Sequence, residues 1–494
     1  MALALLAMEL ARRRMNPGTH GVSMLATRQP PDERSTDWPF AFHELLELEI
    51  EDVTSRGDGV ARVFPPLPPP HAEDPEALGR PSASDAAGRA PTGRSAGWVV
   101  LVPFCLPGEK VVARVRRNCK TYSVAELLEV RTASAERREP GCRFFGECGG
   151  CQYQHVDYGA QLRLKRSHAR EQLRRIGGLG FLPLEELVLP TVGSPREYNY
   201  RSKLTPHYGE AGSGPTPIGF LSHGDERVMV DIPECAIAME PINRALPAVR
   251  AAALHAAARE AKGVRRRPSG KPGSSLLLRA TGDGVVTDPA EEVVEVVGAL
   301  ELRFKAADFF QNNPFLLPRL VEYVVAQAAG RGSRFLIDAY SGSGLFALSA
   351  AGLFEQILGV ETSVAAVDCA TRNAEFNGIR NVRFVAGKAE SIFDVVHFAS
   401  AETAMIIDPP RKGCDAAFLE QLLIFKPHRV VYVSCGPDTQ ARDLRALISG
   451  GYQLEQVQPF DMFPHTRHLE TVACLQWRAD TAPISMTTEA AMSD

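Results

Sequence analysis

Residues 335–344 read FLIDAYSGSG, an apolar run that ends near an acid and leads into a turn with two glycines. Such a run followed by a glycine turn is typical of a buried parallel strand that leads into a helix. The same pattern of strand and helix continues towards the C-terminus and predicts an α/β fold, a doubly wound Rossmann-like sheet over residues 305–478. The seven predicted strands are 335–340, 356–362, 382–387, 404–408, 429–435, 453–460 and 469–477. Helix-like segments separate the first six of them.

The chain upstream of this sheet divides into two further regions. Residues 41–135 hold short alternating segments that predict a small five-stranded β-barrel, interrupted by a Pro-, Ala- and Gly-rich insertion at 65–97. Residues 136–304 combine cysteines, a helical segment and strand-like pieces, which predicts a central α+β region. Residues 1–40 and 479–494 show no such periodicity, and we expect them to be disordered.

The 494-residue chain has the composition of a globular protein, with 45% hydrophobic and 23% charged residues. Its net charge of −4 argues against a polycation that binds nucleic acid through overall charge. No apolar run approaches the roughly 20 residues that cross a bilayer, so we expect no membrane partner. Glu9 interrupts the apolar N-terminal run and basic residues follow it, an order unlike a secretory signal. We therefore expect a cytoplasmic protein, and a monomer.

Two features of the predicted sheet point to a nucleotide cofactor. Gly342 and Gly344 let the backbone approach a ligand that a Cβ would block. Glu361 ends the second predicted strand, where a carboxylate accepts hydrogen bonds from ribose hydroxyls. This pair suits either a dinucleotide or S-adenosylmethionine. The fourth predicted strand ends in DPPRKG, residues 408–413, whose diproline is unlike a dehydrogenase loop and favours S-adenosylmethionine.

The fifth predicted strand ends in VSCGP, residues 433–437, which puts Cys435 at the edge of the sheet that faces the cofactor crevice. A cysteine there is a candidate nucleophile, because its thiolate adds readily to electrophilic carbon. Chemistry of this kind also needs a base. Glu470, at the start of the last predicted strand, is the first candidate, because we expect that strand to lie next to the one that carries Cys435. His465 and His468 in the preceding loop are the alternatives.

Three cysteines lie within ten residues of one another in the central region, at Cys142, Cys148 and Cys151. In a large cytosolic chain such a cluster indicates a metal site rather than disulfides. Cys235 is the best candidate for a fourth ligand. Tetrahedral zinc and an iron–sulfur cluster both use four cysteines, and the spacing alone leaves the two alternatives open.

Taken together, these motifs resemble the RNA uracil-5-methyltransferase family over roughly residues 41–478, with the insertion excepted. The N-terminal barrel also looks like the TRAM (OB-like) domain of that family. The matching segments, in the family's order, are FFQNNP (309–314), DAYSGSG (338–344), GVETS (359–363), NGIRNV (377–382), DPPRKG (408–413), VSCGPDT (433–439) and DMFPHTRHLE (461–470).

The resemblance implies a role for several residues. Cys435 matches the nucleophile that adds to C6 of uracil, and Glu470 matches the base that removes the C5 proton. The cofactor-site positions of the family are matched by Gln311, Tyr340, Glu361 and Asp408. The cysteine pattern matches the family's [4Fe–4S] site. Two positions depart from the family, with Gly436 where Asn is usual and Ser341 where Cys is usual.

Because the chain as a whole is negatively charged, RNA must bind to a local basic surface. Lys and Arg outnumber Asp and Glu between residues 109 and 205, a stretch that includes the basic helical segment 161–176. Arg201 and Lys203 are the best individual candidates for RNA contact. The cysteine cluster and the barrel favour ribosomal RNA as the substrate, with transfer RNA next. The alternatives are a cytosine-C5 RNA methyltransferase and a non-catalytic RNA-binding protein or chaperone.

Overall fold

A computed structural model describes residues 39–64, 97–208, 216–261, 275–388, 392–393 and 396–478. The predicted insertion at 65–96 and the predicted tail at 479–494 lie outside the described residues, as do residues 1–38 of the predicted extension. No helix in the described part of the chain is long and apolar enough to cross a membrane.

The N-terminal region forms one six-stranded sheet in the order β1-β5-β6-β4-β3-β2. Its strands are β1 (Leu45–Glu49), β2 (Asp52–Val53), β3 (Asp58–Val63), β4 (Trp98–Pro103), β5 (Lys110–Asn118) and β6 (Tyr122–Thr132). Alternate residues such as Leu48, Val100 and Ala113 are buried in a shared apolar core, as the period of two predicts. The sheet has one strand more than predicted, the two-residue β2.

In the residues of the central region that the structure describes, there are two small antiparallel sheets and three helices. The sheets run β10-β9-β8 and β12-β11-β7, and their strands are β7 (Lys203–Leu204), β8 (His207–Tyr208), β9 (Ile218–Ser222), β10 (Asp225–Asp231), β11 (Leu278–Thr281) and β12 (Gly284–Val286). The helices are α1 (Tyr158–Arg175), α2 (Leu184–Leu187) and α3 (Glu240–Ala261). Helix α1 is the predicted basic helix. It begins where Asp157 Oδ1 accepts hydrogen bonds from the N–H groups of Gly159 (3.0 Å) and Ala160 (3.4 Å).

A β-hairpin, β13 (Glu292–Val297) and β14 (Leu300–Lys305), joins the central region to the C-terminal sheet. Leu302 and Phe304 of this hairpin are buried in the same core as Leu336 of the following sheet. The hairpin therefore packs as part of the C-terminal unit, whereas the predicted boundary at residue 304 falls inside β14.

The C-terminal region is a seven-stranded sheet in the order β17-β16-β15-β18-β19-β21-β20, which confirms the predicted α/β fold. Its strands are β15 (Phe335–Ala339), β16 (Gln356–Glu361), β17 (Val382–Ala386), β18 (Thr403–Ile407), β19 (Arg429–Ser434), β20 (Tyr452–Phe460) and β21 (Glu470–Trp477). Its helices are α4 (Leu317–Ala329), α5 (Leu345–Ser349), α6 (Val364–Phe376), α7 (Ala416–Phe425) and α8 (Pro437–Ser449).

Strand β15 lies at the switch point of this sheet, because its parallel neighbours β16 and β18 connect in opposite directions. Only β21 runs antiparallel to β19 and β20. The described part of the region also has 3-10 helices at Gly330–Gly332, Ala351–Leu353 and Ser400–Glu402. Between β17 and β18 the described residues show 3-10 conformation at 392–393 and 400–402 and no α-helix.

Candidate active site

Three residues in the turn after β15 have a left-handed backbone conformation. Tyr340 has φ = 65°, Gly342 has φ = 53° and Gly344 has φ = 93°. A Cβ on Gly344 would stand 2.9 Å from the Phe384 ring, so this position needs glycine for packing as well as for conformation. A Cβ on Gly342 would meet no atom within 4 Å, so this glycine borders open space. The turn therefore offers bare backbone at the switch point, where sheets of this type bind ligands.

Three carboxyl groups surround this turn. Glu361 accepts hydrogen bonds from the N–H groups of Gly342 (3.2 Å) and Ser363 (2.9 Å), which holds it at the end of β16. Asp338 is fully buried, and its Oδ2 accepts a hydrogen bond from Ala347 N–H at 2.9 Å. Burial, together with the charges of Asp408 and Glu361, raises the pKa of Asp338 to about 8 although the Ala347 N–H opposes the shift. Among the described residues Asp338 Oδ1 has no hydrogen-bond partner, which leaves an acceptor beside the turn.

The sheet register brings the predicted nucleophile and base together. Strand β19 pairs antiparallel with β21, and Ser434 is the register partner of Thr471. Cys435 and Glu470 stand one residue beyond this pair on the two strands. Cys435 is half-buried, whereas Glu470 is only 2% exposed. The prediction that these two strands are neighbours is therefore confirmed.

Carboxylates dominate the electrostatics around the Cys435 sulfur. Burial, followed by the charges of Glu470 and Asp408, raises the pKa of the Cys435 thiol to about 11. Burial also raises the pKa of Glu470 well above its usual range, and the charge of Asp408 adds to this shift. Burial raises the pKa of Asp408 in the same way. All three groups are therefore held towards their protonated forms in the free protein.

Arg411 opposes these shifts. Its guanidinium lowers the pKa of the Cys435 thiol through its charge and through a side-chain hydrogen bond, and it also lowers the pKa of Glu470. The hydroxyl of Thr439, in the first turn of α8, lies 3.0 Å from both the Arg411 and the Gly436 carbonyl oxygens and donates to them. This link fixes the loop after β18 against the loop that carries Cys435. The role of Arg411 was not foreseen from the sequence.

The two histidines near Glu470 occupy different positions. Gln161 holds His465 through a 3.1 Å contact to Nδ1 and by accepting its backbone N–H at 3.0 Å. Burial lowers the pKa of His465 to about 3. His468 Nδ1 lies 3.5 Å from Arg411 Nη2, and burial together with that cation lowers its pKa to about 4. Glu470 is the group whose pKa is shifted towards neutrality, which favours it as the base over both alternatives.

The segment 461–469, which leads into Glu470, is anchored by buried polar contacts. Lys165 Nζ on α1 donates to Asp461 Oδ1 at 2.5 Å and to Phe463 O at 3.1 Å, and both charged side chains are at most 1% exposed. Asn313 Nδ2 donates to Met462 O at 3.1 Å. This bond ties the segment FFQNNP to the loop that positions Glu470, and the neighbouring Gln311 is 7% exposed.

All four predicted metal ligands line one cavity of about 270 Å³, namely Cys142, Cys148, Cys151 and Cys235. The cavity wall also includes Arg201 and the three residues Thr466, Arg467 and His468. In the described part of the chain, no three histidine, cysteine or acidic side chains are arranged to hold a single metal ion. The structure therefore places the four cysteines on one cavity without arranging them around a single metal ion.

The two predicted RNA-binding residues lie close together in the chain but contact different parts of the structure. Arg201 borders the cysteine cavity, where its charge lowers the pKa of Cys235 against the larger effect of burial. Lys203 Nζ donates to the carbonyl oxygens of Ala307 (3.4 Å) and Asp308 (3.2 Å), just before the motif FFQNNP. Burial, with Arg279 and Arg201 nearby, lowers the pKa of Lys203 to about 8.

The seven-stranded sheet with its last strand antiparallel, the glycine turn and the acidic crevice define an S-adenosylmethionine-dependent methyltransferase. The sequence model of the tRNA (uracil-5-)-methyltransferase family matches residues 274–478. A tRNA (uracil(54)-C(5))-methyltransferase of Schizosaccharomyces pombe is 39% identical over 463 residues, covering 88% of this chain and 79% of that protein. The chain therefore belongs to the RNA uracil-5-methyltransferase family, as the resemblance predicted.

Further known RNA methyltransferases are similar to this chain. A tRNA (uracil(54)-C(5))-methyltransferase of Saccharomyces cerevisiae is 31% identical, covering 90% of this chain and 76% of that protein. An uncharacterized RNA methyltransferase of Halalkalibacterium halodurans is 32% identical over 89% of this chain and 98% of its own length. The crystal structure of Pyrococcus abyssi tRNA (uracil-54, C5)-methyltransferase in complex with S-adenosyl-L-homocysteine has the same fold, with a TM-score of 0.61. It is 24% identical and covers 87% of this chain and 100% of that chain.

Proposed function

We propose that this enzyme methylates C5 of a uridine in transfer RNA through a covalent bond between Cys435 Sγ and C6 of the base. The observation that carries the proposal is the convergence of Cys435, Glu470, Asp408 and Arg411 at the end of β19, where each charge shifts the pKa of the cysteine. A cysteine that only fills space in a core is not expected to have several ionisable side chains around its sulfur.

Cys435 carries out the first step. C5 of uracil is a poor nucleophile until electron density is pushed onto it from C6. The Cys435 thiol first gives its proton to solvent, and the Arg411 guanidinium stabilises the thiolate that remains. The thiolate adds to C6, the C5–C6 π bond breaks, and its electron pair makes C5 enolate-like. S-adenosylmethionine, when bound, supplies the electrophilic methyl group that C5 takes up.

Glu470 completes the reaction. After methyl transfer C5 still carries its proton, and C6 still carries the Cys435 sulfur. The Glu470 carboxylate takes the C5 proton, the electron pair reforms the C5–C6 double bond, and the C6–S bond breaks to release the Cys435 thiolate. Burial makes the ionised Glu470 a stronger base than an exposed carboxylate, and the Arg411 cation favours that ionised form.

The crevice supports the proposed cofactor contacts. We assign the ribose hydroxyls to Glu361, which already stands beside Gly342 N–H at 3.2 Å. Gly342 and Gly344 leave room for the ligand, and Gln311, Tyr340 and Asp408 complete the proposed site. Burial holds Asp338 and Asp408 towards their neutral forms, and a sulfonium cation bound beside them would favour their ionised, carboxylate forms.

Transfer RNA is the substrate that the comparisons support better. Both yeast relatives carry names that specify uracil 54 of tRNA. The ranking of ribosomal RNA above transfer RNA, drawn from the sequence, is therefore not supported. We propose uridine 54 of tRNA as the target, with Lys203 among the residues that contact the RNA.

The four-cysteine cavity is proposed to hold a [4Fe–4S] cluster. The four thiol ligands fit it chemically, and a cluster spans more space than one zinc ion, whose sulfurs lie about 2.3 Å from the metal. Burial raises the pKa of Cys151 to about 12 and of Cys235 to about 11, so that metal is needed to hold them as thiolates. Anaerobically purified protein should contain iron and sulfide; stoichiometric zinc without iron would overturn this assignment.

The target is tested by methylating unmodified tRNA and a ribosomal RNA fragment with labelled S-adenosylmethionine and mapping the product. We expect 5-methyluridine at position 54 of tRNA, and no product when that uridine is replaced by cytidine. A Cys119→Ala variant, altered at a half-exposed cysteine in the turn between β5 and β6, serves as the active control. Methylation confined to the ribosomal fragment would contradict the tRNA assignment.

A further inference from the structure

The cysteine cavity and the catalytic loop share a wall. Thr466, Arg467 and His468 line the cavity together with the four cysteines. Glu470 follows two residues after His468, and His468 Nδ1 lies 3.5 Å from Arg411 Nη2. A structural change in the cavity wall would therefore reach Glu470 and Arg411 through few intervening residues.

Gln152, the residue after Cys151, connects the two. Its backbone N–H and that of Tyr153 both donate to His465 O at 2.9 Å. Its side-chain Oε1 accepts a hydrogen bond from Arg467 N–H at 3.0 Å, and its Nε2 donates to Gly149 O at 2.8 Å. One side chain, 9% exposed, thus bridges the loop that carries Cys148 and Cys151 to the segment that leads into Glu470.

The backbone of this segment needs such support. His465 has φ = 65°, a left-handed conformation that costs a non-glycine residue free energy and persists only where the surroundings fix it. Gln161 and the Tyr198 ring, whose centroid lies 4.1 Å from that of His465, fix the side chain. The contacts from Gln152 fix the backbone on the side of the cavity.

We propose that Gln152 is a positioning residue that couples the four-cysteine site to the catalytic loop, so that a filled cavity holds Arg411 and Glu470 in place at Cys435. This coupling rests on the proposed catalytic roles of Cys435 and Glu470. It assigns the cysteine site an effect on the reaction rate in addition to any structural role. The path runs from Cys151 through Gln152 and the Arg467–His468 backbone to the active site.

The matched control is Gln154, an equally polar side chain two residues along the same loop. It also lines the cavity and is 3% exposed, but its Oε1 accepts hydrogen bonds from Cys142 N–H at 3.0 Å and from Tyr198 OH at 3.4 Å. Gln154→Leu therefore perturbs a proposed cluster ligand, Cys142, without removing the bond to Arg467. Gln152→Leu removes that bond, and Gln152→Glu keeps the acceptor for it but loses the donor to Gly149 O.

The test combines metal content, hydrogen exchange of residues 461–470 and steady-state kinetics on purified full-length protein. For Gln152→Leu we expect iron retained, faster exchange in this segment, and kcat lowered by about tenfold or more with KM for RNA little changed, as expected for small displacements of reacting groups. Gln152→Glu, which keeps the acceptor for Arg467 N–H, should exchange more slowly and retain more of kcat than Gln152→Leu. Gln154→Leu removes the acceptor for Cys142 N–H, so its losses should follow lost iron, whereas those of Gln152→Leu should occur with iron retained.

Two results would overturn the coupling: unchanged exchange and kcat in Gln152→Leu, or losses in Gln152→Leu that occur only with loss of iron, as in Gln154→Leu. Should Gln152→Leu fail to fold, Gln152→Glu decides, because wild-type exchange with lost kcat would contradict the proposed path. Wild-type protein that contains no metal would remove the cluster assignment. Methyl transfer by the wild type without any Cys435 adduct would remove the proposed mechanism instead.

Discussion

Ser434 and Thr471 are partners in the antiparallel ladder between β19 and β21, and Thr471 Oγ1 lies 3.3 Å from Ser434 O. This pairing fixes which residues meet at the end of the two strands. Cys435 follows Ser434, and Glu470 precedes Thr471, so the proposed nucleophile and base emerge side by side from rigid strands. A shift of one residue in this register would turn one of the two side chains to the other face of the sheet.

Replacing the proposed base should stall the last step. Glu470→Gln retains shape and hydrogen bonding but cannot take the C5 proton, so methylated RNA should remain bound to Cys435. We expect turnover lowered by about 10²- to 10⁴-fold, the usual contribution of a general base. An RNA–protein species that survives denaturing gel electrophoresis and contains labelled methyl would be the measurement. His468→Ala is the comparison, and accumulation in that variant instead of Glu470→Gln would move the base to His468.

The pH dependence of Cys435 reactivity should respond in opposite directions to two changes. Arg411 lowers the pKa of the thiol and Glu470 raises it. Arg411→Ala should therefore raise that pKa and reduce the thiolate fraction at pH 8. Alkylation should then slow by about tenfold if the thiol pKa rises by about one. Glu470→Gln should lower the pKa and speed alkylation.

Mass spectrometry of the Cys435 peptide after timed iodoacetamide treatment from pH 6 to 10 would measure both rates. In the wild type the rate should rise with pH throughout this interval, because the thiol pKa of about 11 lies above it. Arg411→Lys keeps the charge and should stay closer to wild type than Arg411→Ala. Rates that move in the same direction in Arg411→Ala and Glu470→Gln would refute the electrostatic account.

The ion pair between Lys165 and Asp461 should be important for stability. Lys165→Met leaves the Asp461 carboxylate buried without its cation, a loss of about 3–5 kcal/mol for pairs of this kind. A clearly lower melting temperature is expected, and Lys165→Met combined with Asp461→Asn should recover part of it. Arg163→Met on the same helix breaks only an exposed pair with Glu136 and should change the melting temperature little. Equal losses in the two single variants would contradict the importance of the buried pair.

Local sequence patterns were sufficient for the sheet and for several site positions. The strand ends that carry Gly342, Glu361, Asp408 and Cys435 could be predicted because apolar runs and glycine turns are local signals. That Cys435 and Glu470 lie on neighbouring strands was also predicted, from the expected order of the strands in the sheet. The cofactor and metal roles assigned to individual residues stay predictions.

Contacts between distant segments could not be predicted in this way. Lys165 belongs to a helix whose basic residues suggested RNA binding, yet it is buried against Asp461, 296 residues away in the chain. Arg163 and Arg170 on the same helix pair with Glu136 and Glu185. Because composition gives the number of charges and not their partners, the sequence could not distinguish this internally paired helix from an RNA-binding surface.

Trapping the enzyme with RNA that carries 5-fluorouridine at the target position tests the central claim most directly. Fluorine cannot leave C5 as a proton does, so the bond between Cys435 Sγ and C6 should persist after methyl transfer. We predict one covalent RNA–protein complex for the wild type and for Cys119→Ala, and none for Cys435→Ala. A complex that forms without Cys435, or wild-type methylation of uridine RNA with no trapped complex, would contradict the account.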